Sequence, residues 1–170
     1  MTRARRAGWR LGLLGALALA AAVLLQRGAL TGALPPAASS AVVARVIDGD
    51  TVELADGRRL RYLGINAPEV RHRRGQDWVY APEPFAEEAA AANRALVEGR
   101  PVRLEYDARR QDRYGRLLAH VYVGETLVGG ELLRRGLARV LIIPPNTRRA
   151  AEFEALQRQA RQARVGLWRE

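Results

Sequence analysis

Three short segments carry residues whose types and spacing suit phosphate chemistry. The first is Ile47-Asp48-Gly49-Asp50-Thr51, two carboxylates flanking a glycine at the end of a β-rich run. Hard cations take several oxygen ligands, and a carboxylate pair on a tight turn supplies them. The second is Arg61-Tyr62-Leu63-Gly64-Ile65-Asn66-Ala67-Pro68-Glu69. It sets an Arg on a strand, with an amide and a carboxylate just past the strand's end. The third is Asp112-Arg113-Tyr114-Gly115-Arg116, a turn that leads a fork-shaped cation into the next strand. Guanidinium binds phosphate through two parallel bonds, which an ammonium cannot do. Each segment alone also suits a solvated surface turn. The calcium-loop spacing of an EF-hand is absent, because no further acids follow Asp48 and Asp50 at the required positions.

Composition narrows the chemistry. There is no Cys, which excludes disulfides, thiolate metal sites and a Cys nucleophile. His72 and His120 are far apart in sequence and do not suggest a His-based metal site. Every basic side chain is Arg, and the net charge is +10. Residues 41–170 hold all 18 acids and 23 of the 28 Arg, a moderate excess of +5 that suits a polyanionic partner.

The elements that must position these residues begin near residue 41. Ala41–Ile47, Thr51–Leu54 and Arg58–Ile65 read as strands, joined by the turns Asp48-Gly49 and Asp56-Gly57. In the third strand Leu60 and Tyr62, with Gly64, should share one face, and Arg59, Arg61, Leu63 and Ile65 the other. Glu69–Ala81 reads as a basic loop whose Arg71, Arg73 and Arg74 face solvent or substrate. Pro82-Glu83-Pro84 opens a helix to about Val97. Val102–Tyr106 and Leu117–Val123 are strands four and five. Leu127–Arg135 is a short helix before Gly136. Thr147–Arg164 is a last helix, with Phe153, Leu156, Ala160 and Ala163 on one stripe and Gly166 as its cap. This order predicts a five-stranded OB-fold barrel with about three packed helices.

Residues 1–40 differ from the rest and contain no acid. Arg3, Arg5, Arg6 and Arg10 precede the uncharged run Leu11–Leu25. That order marks residues 1–30 as a signal peptide or an uncleaved hydrophobic anchor helix. The run of about 15 residues is shorter than the ~20 of a comfortable span. The excess of Arg before it should keep the N-terminus inside and send the domain out. Residues 31–40 read as a linker, leaving 41–170 as the domain.

Taken together, the Asp-Gly-Asp-Thr, Arg…Pro-Glu and Asp-Arg-Tyr-Gly-Arg segments resemble the staphylococcal (micrococcal) nuclease family. Arg134-Arg135-Gly136-Leu137-Ala138 and the closing Gly166-Leu167-Trp168 extend the resemblance from about Val42 to Trp168. The resemblance implies a calcium-dependent endonuclease, acting as a monomer, that cleaves DNA and RNA to 3′-phosphate ends. It implies calcium ligands at Asp50, Asn66 and the carbonyl of Ala67, with Asp48 nearby acting through water. It implies phosphate-binding Arg61 and Arg116, a general base at Glu69, and substrate contacts from Arg113 and Tyr114. Two departures stand out. Asn66 replaces a carboxylate and keeps one oxygen without its charge. Ile142 and Ile143 occupy a stretch where well-known members carry aromatic residues that stack on the base. A rival reading is a catalytically silent OB-fold nucleic-acid-binding module at the membrane surface. Arg61, Glu69 and Arg116 speak against it, since a carboxylate beside phosphate weakens simple binding. A scaffold at the membrane surface rests on the anchor and charge alone.

Overall fold

The computed structural model describes residues 38–169; the N-terminal segment proposed as signal or anchor lies outside the described residues. The strands are β1 (Ala38–Val46), β2 (Thr51–Leu54), β3 (Arg59–Tyr62), β4 (Gly64–Asn66), β5 (Arg71–Arg74), β6 (Asp77–Tyr80), β7 (Pro101–Glu105), β8 (Leu117–Val123), β9 (Thr126–Leu127) and β10 (Arg139–Leu141). The helices are α1 (Ala86–Val97), α2 (Val128–Arg134) and α3 (Ala150–Gln162), followed by a 3-10 turn at Gly166–Trp168. Among the described residues, no helix is long and apolar enough to cross a membrane.

Five strands close the barrel in the order β1-β2-β3-β8-β7, with β7 returning to β1. The closing pair, β3 with β8, is the parallel one. β1 serves two neighbours by changing partner along its length. Ala38–Val42 pair with β7, while Val43–Val46 pair with β2 across a register shift between Val43 and Arg45. Such an irregularity bends a strand and increases its twist, as a small closed barrel needs. The barrel's arrangement is the OB-fold expected from the element order.

Alternation along the strands sends Val43, Val52, Leu54, Leu60, Tyr62, Val102, Leu104, Ala119 and Val121 into the core. β8 is covered on both faces, since His120 and Tyr122 are also buried. Phe153 of α3 covers that outer face, its ring edge-on to His120 at 5.6 Å between centroids. Asn93 on α1 is buried at the same face as Ala86, Ala89, Ala90 and Val97, one stripe of helical spacing.

Several expectations need correction. Ala38–Ser40 are the start of β1 and not part of a linker, because their backbone pairs with β7. The single strand expected over Arg58–Ile65 breaks after Tyr62. Gly64 takes φ +80, and a Cβ there would lie 2.5 Å from the Phe153 ring. The chain therefore kinks, and Leu63 and Ile65 beyond it are buried, Ile65 within the core cluster. Glu69–Ala81 contains a β-hairpin, β5–β6, where a loop was expected. The helix after Pro84 starts at Ala86, with Phe85 in a left-handed conformation before it. The last helix ends at Gln162, so Ala163 is exposed. Arg164 takes the left-handed conformation just beyond it, and Gly166, also at positive φ, opens the 3-10 turn instead of capping the helix.

The packed His120 makes stability depend on pH. Burial, reinforced by the Arg149 charge, lowers its pKa from 6.5 to about 4, with Glu105, Asp107 and Glu152 opposing. Its Nδ1 has no hydrogen-bond partner among the described residues. The unfolded chain takes up a proton near pH 6.5 that the folded protein refuses until about pH 4. Stability is therefore full above pH 6.5 and falls as pH drops through this window, by on the order of 3 kcal/mol. Urea unfolding at pH 7 and pH 4.5 should show a smaller acid loss in His120→Gln than in the parent. Equal losses in the two proteins would exclude His120 as the source.

Candidate active site

The site is built around the turn between β1 and β2. The N–H groups of Ile47 and Asp48 both donate to the Thr51 carbonyl, at 3.0 and 3.2 Å, and the Asp50 N–H donates to Asp48 Oδ1 at 2.9 Å. Gly49 sits where this turn presses on two neighbours. A Cβ there would fall 2.5 Å from Ala67 Cβ and 2.8 Å from Ala89 Cβ, so only glycine lets the turn approach α1 and the Pro68-Glu69 loop. A buried polar relay holds the turn from behind. Tyr62 Oη donates to Asn93 Oδ1 at 2.9 Å, and Asn93 Nδ2 donates to the Asp48 carbonyl at 3.0 Å.

Asp50 is the centre of the arrangement, with 1% of its surface exposed. Its Oδ2 accepts the Ala67 N–H at 2.6 Å, and its Oδ1 accepts the Thr51 hydroxyl at 3.1 Å. The same Oδ1 forms an ion pair with Arg61 Nη1. Arg61 reaches it from β3, where its backbone is paired with Thr51 on one side and Leu118 on the other. Arg61 Nη2 donates to Asn66 Oδ1 at 2.7 Å, and to the Ile65 carbonyl at 3.4 Å. One guanidinium thus bridges the Asp50 carboxylate and the Asn66 amide.

Three charged groups around this centre feel each other. Burial raises the Asp48 carboxyl above its usual range, with Arg61 and Arg116 pulling the other way. Burial also raises Glu69, the Asp48 charge adds to the rise, and Arg61 opposes it. Burial lowers the Arg61 pKa, while Asp48 and Glu69 support its charge. A carboxylate lifted toward neutrality beside a buried cation is a proper candidate for proton transfer.

Arg116 comes from the turn before β8. Asp112 organises that turn, its Oδ1 accepting the N–H groups of Tyr114 and Arg116 at 2.9 and 3.0 Å. Its Oδ2 then accepts Arg116 Nε at 2.7 Å, leaving the terminal nitrogens of Arg116 without a partner among the described residues. Arg113 lies over the Tyr114 ring, 4.7 Å from its centroid, and Tyr114 is 68% exposed. Asn146 ties this loop to the segment before α3. Its Oδ1 accepts the Arg109 N–H at 2.7 Å, and its Nδ2 donates to the Arg109 carbonyl at 2.9 Å. A cavity of about 410 Å³ opens between the two, lined by Arg61, Arg116, Arg113, Tyr114, Leu141 and Ile143 among others.

The fold therefore brings Asp48, Asp50, Asn66 and Ala67 to one end of the barrel with Arg61 and Glu69. Arg113, Tyr114 and Arg116 line the cavity that Arg61 shares; Asp48, Asp50 and Glu69 are outside its lining. Tyr62, Asn93, Asp112 and Asn146 are positioning residues that the sequence reading missed. Tyr62 and Asp112 lay inside quoted motifs without a role assigned to them; Asn93 and Asn146 had no signal. Among the described residues, no three His, Cys, Asp or Glu side chains converge as a metal site. The convergent donors are the carboxylate of Asp50 and the amide oxygen of Asn66, with Asp48 hydrogen-bonded to the same turn. These are hard oxygen donors already gathered around a cationic group, Arg61. They fit a hard divalent ion by donor type, with one formal charge fewer than three carboxylates would supply.

Residues 59–170 match the family model described as staphylococcal nuclease homologue. The chain is 35% identical to the thermonuclease of Staphylococcus hyicus over 129 residues, covering 74% of this chain and 73% of that protein. It is 33% identical to the thermonuclease of Staphylococcus intermedius over 132 residues, 76% of each chain. It is 36% identical to endonuclease YncB of Bacillus subtilis over 129 residues, 73% of this chain and 59% of that protein. An OB-fold barrel, the Asp50–Arg61 centre and relatives named as nucleases agree, and the chain belongs to the staphylococcal nuclease family.

Proposed function

We propose that this protein is a calcium-dependent endonuclease that hydrolyses DNA and RNA to 3′-phosphate ends. The observation that carries the reading is that Arg61 and Arg116 line one cavity while Arg61 also acts on the raised carboxyl of Glu69. Arg116 offers its terminal nitrogens to phosphate. Asp50, Asn66 and the Ile65 carbonyl engage three of the five N–H groups of Arg61, and the others are open to phosphate. Together they stabilise the charge that grows on the phosphoryl oxygens as water attacks. A carboxylate oxygen of Glu69 takes the proton of that water. The bond from phosphorus to the 5′ oxygen breaks, that oxygen takes a proton from solvent, and the phosphate stays on the 3′ side. Tyr114 and Arg113, which line the same cavity, would contact the nucleotide. Calcium, held by Asp50, Asn66 and the Ala67 carbonyl with Asp48 close by, would offset the phosphate's negative charge. A silent binding module would gain nothing from Glu69, whose charge repels phosphate.

The N-terminal Arg residues and apolar run support export, so the domain is placed outside the cytoplasm, either secreted or held at the membrane. Protease added to intact cells with any outer envelope opened should digest the domain and spare a cytosolic marker. Equal protection of the two would exclude export.

Glu69→Gln should lower kcat on single-stranded DNA by about 100-fold or more while leaving the thermal midpoint within a few degrees. Near-parental turnover in the purified variant would remove Glu69 from the role of base.

Asn66→Asp should tighten calcium binding by roughly tenfold, because affinity for a hard cation rises with the charge of its ligands. Isothermal titration of calcium without substrate, run beside a calcium titration of activity, reads this directly. An unchanged or weaker affinity would show that Asn66 is not a ligand.

A further inference from the structure

The β5–β6 hairpin is unused by the site as described, and it is built asymmetrically. Its register pairs Arg71 with Tyr80 and Arg73 with Trp78. Residues directly opposite across strands, and residues two apart along one strand, share a face. Arg71, Arg73, Trp78 and Tyr80 therefore form one face, and His72, Arg74, Asp77 and Val79 the other. The second face leans toward the protein, since its His72 and Val79 are half-buried. The first is open, with Trp78 66% and Tyr80 57% exposed. Large aromatic side chains are seldom left so bare unless a ligand covers them.

The face is also held in place. Tyr80 Oη donates to Glu87 Oε1 on α1, orienting the ring. Arg73 Nε donates to the Gly75 carbonyl at 3.0 Å and Nη2 to Gln76 Oε1 at 3.1 Å, fixing its guanidinium at the hairpin's tip. Arg71 has no hydrogen-bond or ion-pair partner among the described residues. Three Arg against one Asp make the hairpin cationic, although Glu83 and Glu87 stand at its root.

Its root joins the site. The Ala81 N–H donates to the Val70 carbonyl at 3.3 Å, and the Glu83 N–H donates to the Glu69 carbonyl at 3.0 Å. The ladder thus ends on the residue assigned as general base. On the cavity side, the exposed Leu141 and Ile143 are aliphatic, which leaves Tyr114 as the exposed ring among the lining residues.

We propose that this hairpin is a single-strand nucleic-acid-binding arm: bases stack on Trp78 and Tyr80 while Arg71 and Arg73 hold the flanking phosphates. Aromatic faces alternating with cations are how proteins grip single strands without reading sequence. The inference deepens the nuclease reading and rests on it. The arm would lead a strand past Glu69 and so favour substrates long enough to reach it.

The test uses the full-length protein and a fluorescently labelled 12-nucleotide single-stranded DNA. The double variant Trp78→Ala/Tyr80→Ala should raise KM by about tenfold or more, with kcat changing by less than about twofold. Anisotropy binding in chelator, where nothing turns over, should weaken by a similar factor. Trp78→Phe should keep most of the affinity, which a merely structural role for the indole would not predict. Arg71→Ala/Arg73→Ala probes the same face should the aromatic variant misfold. It should weaken binding and flatten its dependence on salt, by roughly 0.7 in log–log slope per lost phosphate contact. Unchanged KM and affinity in these variants, with a parent that cleaves, would overturn the arm and leave the nuclease reading intact, giving the face to a protein or lipid partner. A parent that neither binds nor cleaves the strand would overturn both.

Discussion

Burying the Asp50 carboxylate is the constraint on which the rest of the active end depends. A desolvated carboxylate costs several kcal/mol unless it is paired and hydrogen-bonded. Here the compensation comes from three separate stretches of chain: the hydroxyl of Thr51 on β2, the backbone of Ala67 beyond β4, and the guanidinium of Arg61 on β3. Satisfying one side chain therefore fixes the β1–β2 turn, the barrel strand and the loop carrying Glu69 relative to each other. Gly49 and the small Ala67 and Ala89 make the approach physically possible. The relay from Tyr62 through Asn93 to the Asp48 carbonyl then anchors the turn to α1.

A second carboxylate does the same work at the other side of the cavity. Asp112 receives two backbone N–H groups and Arg116 Nε, so the loop that delivers Arg116 is folded around the residue that holds it. Asn146 fastens this loop to the segment before α3 through a reciprocal pair of backbone bonds. The two Arg forks thus stand on rigid supports of different origin. Arg61 is internal and already engaged, while Arg116 keeps its terminal nitrogens free among the described residues. This division gives the two cations different tasks even before any substrate arrives.

Arg61 also ties position 66 to the buried carboxylate. The guanidinium spans the Asp50 and Asn66 oxygens, so the gathered donors do not stand as an uncompensated negative cluster. An amide at position 66 lowers the repulsion that a further carboxylate would add.

The chain itself determined most of the fold and the family resemblance, through its three motifs. Period-two alternation and the Asp-Gly turns were enough to find the barrel strands, though not every boundary, because local geometry and burial pull in the same direction there. β8 was read to the residue. The three motifs were legible because their residue types are rare in combination. Tertiary contact decided the rest. Gly64 breaks the third strand because the Phe153 ring, distant in sequence, fills the space a side chain would need. Ala38–Ser40 look like linker and become strand because β7 supplies their backbone partners. The Arg-rich stretch after Glu69 has too weak a local preference to declare a hairpin, and pairing of Arg71–Arg74 with Asp77–Tyr80 settles it. Asn93 carries no mark in sequence that separates it from any polar helix residue. Only the packing of α1 against the Asp48 turn buries it, and burial is what turns an ordinary amide into a support.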